Sequence, residues 1–355
     1  MKRKKRALVT GVTGQDGSYL AEYLIGLGYE VWGLLRRTSL DPTARLTTII
    51  RSPRFHLVHG NMRDAASLRR ALRTSRPDEV YNLAAQSDVG ISFLCPEETF
   101  EVNYEGVGKL MNEIRREVPH ARVYQASTSE MYGATPPLQN ELSPFVPVSP
   151  YGEAKLKAHK KFVMEYRERY GLFIASGILF NHESPRRGQH FVTRKSTLSL
   201  ARIQLGLQKD FTLGNLEARR DWGFAGDYVK AMHLMLQKKT PRDYVIATGV
   251  SHTVRELVAE VGSAIGMPIT WHGSGLKEVG KDPKGNTVVR VDRKFYRPVE
   301  VHNLCGDPAR AREELGWRPT VSFEKLIRMM AKADLAQERE RIGRNFKALD
   351  ANRRV

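Results

Sequence analysis

Cysteine is nearly absent: Cys95 and Cys305 are the only two in the chain. Two cysteines so far apart supply neither a disulfide framework nor a metal-ligand spacing, so no metal is expected and a reducing, cytoplasmic setting is the default. Long apolar runs are missing too. The longest stretches, such as Phe173–Phe180, fall far short of the roughly 20 residues a membrane helix needs, and no membrane partner is expected. The basic start, Lys2 to Arg6, leads into a short strand-like run rather than the apolar core of a secretory leader. There is no internal repeat and no low-complexity tract. Acidic residues are outnumbered, 39 against 57 basic ones, for a formal charge of +18. A nucleic-acid interface could explain such an excess, but no basic stripe interleaved with aromatics and no recognition-helix pattern is present. Basic ends (Lys2–Arg6, Arg339–Arg354) and a pocket for polyanionic ligands account for the charge, so no nucleic-acid partner is expected.

What is present is a chain of 355 residues, 41% apolar, long enough for one large α/β unit or two lobes. Strand-like segments at Arg6–Thr10, Glu30–Leu35, Phe55–His59, Glu79–Leu83, Arg122–Ala126 and Phe173–Phe180 alternate with helical ones at Ser18–Leu27, Ala65–Thr74, Glu97–Glu117 and Gly152–Tyr170. That alternation predicts a Rossmann-type doubly wound parallel sheet. After Phe180, Gly and Pro punctuation breaks the pattern into shorter pieces, with helices expected at Asp227–Leu236 and Val254–Ile265. A smaller C-terminal mixed α/β lobe is expected there. From Phe323 a charged helical pattern runs toward Asn352. The expected division is a dinucleotide-binding domain over 1–180, to which some later segments return, a substrate-binding lobe over 181–335 and a charged tail over 336–355.

Gly11-Val12-Thr13-Gly14-Gln15-Asp16-Gly17 closes the first strand and opens the first helix. Glycine permits a sharp turn and lets a pyrophosphate approach the backbone, and the helix N-terminus beyond offers N–H groups with a partial positive charge. The second strand ends in Arg36-Arg37-Thr38-Ser39, where a NAD-binding protein usually carries an acid for the ribose hydroxyl. Two guanidinium groups and a hydroxyl, with Arg36, Arg37 and Ser39 as the contacts, suit a 2′-phosphate, so NADP is the expected cofactor. Asn61 and Met62 after the third strand would border the adenine, and Ala84, Ala85, Gln86 and Ser87 after the fourth would line cofactor and sugar.

Tyr151-Gly152-Glu153-Ala154-Lys155 puts a phenol and an ammonium at i and i+4, on one face of a helix. The ammonium favours the phenolate, a base able to take a hydroxyl proton as hydride leaves the same carbon. Lys155 could also hold the nicotinamide ribose. The preceding strand ends in Ser127-Thr128-Ser129-Glu130, where Thr128 would hydrogen-bond the substrate hydroxyl. Glu130 is a carboxylate that a simple reductase or 4-epimerase does not need. A dehydratase does need it, to remove a proton made acidic by a neighbouring ketone.

These motifs, with Leu179-Phe180-Asn181-His182-Glu183-Ser184-Pro185-Arg186-Arg187-Gly188, Leu213–Gly223 and Phe295-Tyr296-Arg297-Pro298-Val299-Glu300-Val301, resemble the GDP-mannose 4,6-dehydratase family of extended short-chain dehydrogenases/reductases over nearly the whole chain. The resemblance implies a hydro-lyase that oxidises C4 of GDP-mannose, removes the C5 proton through Glu130, expels water from C6 and returns hydride there, yielding GDP-4-dehydro-6-deoxy-D-mannose. It implies that Thr128, Glu130, Tyr151 and Lys155 are catalytic and that His182 and Arg187 contact the cofactor. Ser87, Asn181, Val192, Lys195, Gly214, Arg220, Arg297 and Glu300 would hold the substrate. It further implies a homodimer through the helices near Glu97–Glu117 and Gly152–Tyr170, or a homotetramer built around Arg36–Ser39. Asn61, Asp88, Glu98, Phe224 and the segment Leu40–Arg54 depart from the family pattern. Another NADP-dependent nucleotide-sugar enzyme on this scaffold, a 4-keto-6-deoxy reductase or a different hexose dehydratase, stays open as the alternative. A dTDP-glucose dehydratase would be expected to carry an Asp-Glu pair, and here Ser129 precedes Glu130. An NADP-sensing or nucleic-acid-binding protein would leave the Thr-Glu-Tyr-Lys set idle.

Overall fold

The computed structural model describes residues 3–296, 299 and 301–352, with the side chains of 345–352 set aside. The chain forms two compact units, each discontinuous in sequence. Unit 1 comprises residues up to His182 together with Asp221–Val250 and Asn303–Thr320, and unit 2 comprises Glu183–Arg220, Ser251–His302 and the chain from Val321.

Unit 1 is built on strands β1 (Arg6–Thr10), β2 (Glu30–Leu35), β3 (Phe55–His59), β4 (Glu79–Asn82), β5 (Arg122–Thr128), β6 (Ile174–Leu179) and β7 (Asp243–Ile246). They form one sheet of seven in the order β7-β6-β5-β4-β1-β2-β3, and every pair is parallel. The doubly wound architecture is therefore the one the alternation predicts. Side chains along a strand alternate between its faces. Ala7, Val9, Tyr81, Tyr124 and Ala175 point into one apolar core, while Leu8, Val80, Val123 and Ile174 point into the other. Helices α1 (Gln15–Gly26) and α5 (Ala225–Leu236) close the first core through Leu20, Leu24, Met232 and Met235. Helices α2 (Ala65–Ser75) and α3 (Gly106–Glu117) close the second through Leu68, Leu72, Leu110, Met111 and Ile114. Burial on both faces is why these strands read as continuous apolar runs.

Several elements differ from expectation. β7 was not expected; at four residues it is too short to carry a pattern, and pairing with β6 makes it a strand. The sheet strand β5 runs on to Thr128, two residues past the expected end, because Ser127 and Thr128 keep register with Ile178 and Leu179 of β6. The helix expected over Gly152–Tyr170 is α4 (Pro150–Ala158), then a π-helical turn His159–Glu165, then a last helical piece Tyr166–Tyr170. The stretch Glu97–Glu117 is interrupted likewise by a π turn at Glu101–Glu105.

Unit 2 packs helices Val192–Gln204, Val254–Ala264 and Phe323–Asn352 together and carries a small mixed sheet. That sheet orders Thr270–His272, Val279–Lys281, Thr287–Val291 and Phe211–Leu213, with its last pair parallel and the others antiparallel. This is the smaller mixed lobe the broken pattern predicts. Within it Arg194 is buried and forks onto Asp334, Nε lying 2.7 and 2.9 Å from the two carboxylate oxygens. Thr197 Oγ1 donates to the same carboxylate at 2.6 Å. Among the described residues no helix is long and apolar enough to cross a membrane.

Candidate active site

The strand order places the reversal of winding between β1 and β4: connections from β1 move toward β3, and those from β4 move toward β7. A crevice opens at the carboxyl ends of strands on either side of such a reversal. Both loops flanking it carry predicted residues. Gly11 has φ +66°, and a Cβ there would lie 2.9 Å from the nitrogen of Ala84, so glycine is what lets the first turn press against the fourth strand's loop. A Cβ on Gly17 would lie 2.3 Å from the Gly11 oxygen and 2.6 Å from Val12 Cα, which closes the start of α1 onto the turn. Gly14 is the residue before α1, with its N–H donating to the Gly11 oxygen at 2.9 Å. Val12 is buried in the first core, facing Gly33 of β2, whose missing side chain makes room for it. The result is a bare backbone cradle at the mouth of a helix, shaped for a pyrophosphate.

Polar side chains hold the floor of this crevice. Thr10 Oγ1 donates to Asn82 Oδ1 at 2.6 Å and accepts the N–H groups of Leu83 and Ala84 at 3.1 and 3.0 Å. Asn82 Nδ2 in turn donates to Gln125 Oε1 at 2.8 Å, so the ends of β1, β4 and β5 are tied side by side. Gln86 is anchored by Asn103 and Thr99: its N–H donates to Asn103 Oδ1 and its Nε2 to Thr99 Oγ1, both at 3.0 Å. Ala85 is half-buried beside it, and Ser87 is exposed. Gln15 and Asp16 turn toward His182. Gln15 Nε2 donates to the His182 carbonyl at 3.0 Å, His182 Nε2 lies 2.8 Å from Asp16 Oδ2, and the imidazole stacks on Tyr228 with centroids 4.6 Å apart. His182 therefore buttresses the glycine turn.

Arg36, Arg37 and Ser39 lie exposed beyond the end of β2. A further cation, not anticipated from the sequence, lies against the glycine turn: Arg45, on a 3-10 turn over Thr43–Leu46, donates from Nη1 to the Thr13 oxygen at 3.3 Å. Its only signal was its lying in the segment Leu40–Arg54, read as divergent. Asn61 Oδ1 accepts the Arg63 N–H, while the Met62 side chain is buried in the second core, so what Met62 presents to the loop is backbone.

The predicted reacting groups sit where β5 ends and α4 begins. Ser149 caps α4, accepting from the Gly152 N–H at 3.1 Å, and Pro150 fills the first turn, where a missing N–H costs nothing. A Cβ on Gly152 would lie 2.6 Å from the Glu130 oxygen, so this glycine brings α4 against the Glu130 backbone. Thr128 Oγ1 accepts the Glu130 N–H at 3.2 Å and caps the 3-10 turn Ser129–Met131. Tyr151 and Lys155 are both buried, with the Lys155 ammonium 5.9 Å from the Tyr151 ring centroid. Lys155 Nζ donates to the Ala126 oxygen at 2.9 Å, and burial pushes its pKa down to about 8. Unit 1 thus brings Thr128, Glu130, Tyr151 and Lys155 to one end of its sheet, beside the cradle.

Asn181 begins the short strand after Phe180. Ser87 lies with Asn181 in unit 1, and Val192, Lys195, Gly214 and Arg220 lie in unit 2. Val192 opens the helix Val192–Gln204, and Lys195, one turn on, donates to the Thr212 oxygen at 2.7 Å with its ammonium 4.0 Å from the Phe295 ring centroid. Gly214 meets the same residue: a Cβ there would lie 2.4 Å from the Phe295 oxygen. Arg220 is buried and donates to the Val301 oxygen at 2.8 Å. Arg187 Nε lies 3.1 Å from Glu183 Oε2, and its guanidinium covers the Phe191 ring at 3.5 Å. Arg297 and Glu300 lie outside the described residues.

A glycine cradle at the switch point of a doubly wound sheet, with a Tyr-Lys helix against a Thr-bearing strand end, defines an extended short-chain dehydrogenase/reductase. A dTDP-glucose 4,6-dehydratase from Streptomyces venezuelae, solved with NAD bound, superposes with a TM-score of 0.78 at 26% identity, covering 92% of this chain and 96% of that one. The chain belongs to the GDP-mannose 4,6 dehydratase family, whose pattern it matches over residues 8–330. It is 49% identical to GDP-mannose 4,6 dehydratase 1 of Arabidopsis thaliana over 99% of this chain and 96% of that protein. It is 47% identical to the human GDP-mannose 4,6 dehydratase over 94% of this chain and 92% of its relative.

Proposed function

We propose that this protein converts GDP-α-D-mannose to GDP-4-dehydro-6-deoxy-α-D-mannose and water with NADP as its resident cofactor. The observation that carries this reading is a buried carboxylate, Glu130, set on the same strand end as Thr128 and against the helix that bears Tyr151 and Lys155. Thr128 holds the C4 hydroxyl by a hydrogen bond, and Tyr151 takes its proton, with the Lys155 ammonium favouring the phenolate. With C4 a ketone, the C5 proton is acidic; Glu130 removes it and passes it to the departing C6 hydroxyl, which leaves as water. NADP held at the glycine cradle would supply the redox chemistry, a hydride taken up from C4 and given back at C6, so that no external oxidant or reductant would be consumed. A proton equivalent to the one Tyr151 took from the C4 hydroxyl is delivered to C5, which returns Tyr151 to the phenolate.

The cradle at Gly11, Gly14 and Gly17 receives the pyrophosphate, and the exposed Arg36, Arg37 and Ser39, with Arg45 beside the turn, favour a 2′-phosphate over a free ribose hydroxyl. Lys195, Gly214 and Arg220, with Asn181, Val192, Arg297 and Glu300, take the GDP portion. The working form is a cytoplasmic homodimer or homotetramer, which light scattering distinguishes.

Incubation of the purified protein with GDP-mannose, without added reductant, tests the reading. The expected product is lighter by one water, with no net change in nicotinamide absorbance. GDP-mannose returned unchanged, while another nucleotide sugar is turned over, overturns it.

A further inference from the structure

One buried histidine lies directly behind the reacting groups and has no part in the chemistry above. His159 follows Lys155 by one turn, is 2% exposed, and stands at the point where α4 gives way to the π-helical turn His159–Glu165. Such turns are rare and recur at functional sites. The changed pitch goes with a side chain that reaches three adjacent strands. His159 Nδ1 lies 3.2 Å from Ser127 Oγ on β5 and 3.3 Å from Ser176 Oγ on β6, and its Nε2 lies 3.6 Å from Asp243 Oδ2 at the start of β7. The Phe145 ring closes over it edge-on, 5.7 Å away.

One arrangement of the protons in this cluster fits these distances. Ser176 Oγ donates to Ser127 Oγ at 2.8 Å, which leaves the Ser127 proton for His159 Nδ1. Nδ1 is then an acceptor, and the ring proton sits on Nε2, facing the Asp243 carboxylate. That carboxylate is held from its other side by Arg167 Nη2 at 2.6 Å, and Arg167 also donates to the Ile174 oxygen. Burial pushes the imidazole pKa down, opposed by Asp243 and reinforced by Arg167 and Lys160.

A core histidine satisfied in this way could serve stability alone. What sets His159 apart is the segment it holds. Ser127 lies between Ala126, whose oxygen receives the Lys155 ammonium, and Thr128, whose hydroxyl accepts the Glu130 N–H. The chain thus grips three successive residues of β5, two of them from one helix. We propose that His159 is a positioning residue: through the Ser127 hydroxyl it fixes the strand end Ala126–Thr128 against α4, and so sets Thr128 relative to Tyr151 and Lys155. This rests on the dehydratase reading for its catalytic consequence, but not for its geometry.

Two substitutions separate positioning from bulk. His159→Phe keeps the ring volume against Phe145 and removes both nitrogens. His159→Asn restores a polar atom at the place of Nδ1. Hydrogen exchange of the resting protein, read by mass spectrometry, should rise at Ser127–Glu130 in His159→Phe and return toward the parent rate in His159→Asn. With GDP-mannose, His159→Phe should lose on the order of 10- to 100-fold in kcat with little change in KM, the scale of loss for a slight misplacement of reacting groups, and His159→Asn should recover most of it. Ser127→Ala should show the same kcat loss, and combining it with His159→Phe should add little more. It supplies the same readouts should His159→Phe not fold. Parent exchange rates and kcat in folded His159→Phe, no recovery in His159→Asn, or additive losses overturn the proposal. If the parent protein leaves GDP-mannose untouched, the functional reading fails instead, and hydrogen exchange still decides the positioning role.

Discussion

At the scale of single residues, the site separates groups that move protons from groups that hold them in place. In the proposed mechanism Glu130 belongs to the first kind. Glu130→Gln keeps shape and burial but removes the base, so nicotinamide reduction on mixing with GDP-mannose should persist while water loss falls by at least ~100-fold, the lower end of the range for general-base removal. Normal turnover in that variant would sink the C5-base assignment. Lys155 shows what a buried ammonium costs. Its pKa is about 8 in the folded protein against an ordinary 10.5, so below pH 8 the folded state carries a charge it solvates poorly. That shift corresponds to roughly 3 kcal/mol, offset by about 1 kcal/mol from the hydrogen bond to Ala126. Between pH 8 and 10.5 the unfolded chain holds the proton and the folded one does not, so parent stability rises with pH in that window. Lys155→Met should therefore be inactive, melt higher than the parent at neutral pH, and lose that advantage as pH climbs toward 10.5. A lower melting temperature at neutral pH would show that the hydrogen bond outweighs burial. Tyr151 and Lys155 were legible because a helix puts i and i+4 on one face. His159, one turn further along the same helix, was not, since nothing local says that Ser127, Ser176 and Asp243 converge on it.

At the scale of elements, the glycine turn is a packing device as much as a ligand cradle. The three glycines are not equivalent. A Cβ at Gly17 strikes backbone at 2.3 Å, whereas one at Gly14 meets only the Gly11 oxygen, at 3.1 Å. Gly17→Ala should weaken NADP binding by at least ~10-fold and lower stability by roughly 1–3 kcal/mol, because backbone must move. Gly14→Ala should do far less. Fluorescence titration with NADP and thermal melting on both variants check this, and equal damage from the two would refute the account. The six expected strands and the leading helices could be read from periodicity, which depends on near neighbours only. β7 and the two π turns could not. A four-residue strand carries little pattern, and a change of helical pitch answers to what the helix packs against.

At the scale of the whole molecule, each unit has its own buried polar anchor. In unit 2 it is the Arg194–Asp334 fork, with Thr197 as a third partner. Asp334→Ala leaves a buried guanidinium without its counter-charge and should cost about 3–5 kcal/mol, seen as a lower urea midpoint. Asp334→Asn, which keeps the acceptor, should cost less; if both variants unfold like the parent, the fork is not a stabilising anchor. Local pattern alone settled the alternation of strands and helices, the glycine turn at the end of the first strand and the Tyr-Lys spacing, because each depends on residues within a turn or two of one another. Strand order, the placing of Gly11 against Ala84, the late return of Asp243–Ile246 to the sheet and the convergence on His159 depend on contacts between residues dozens of positions apart. No short-range periodicity encodes such contacts; they are decided when the two cores close and one register buries the most apolar surface with every polar group satisfied.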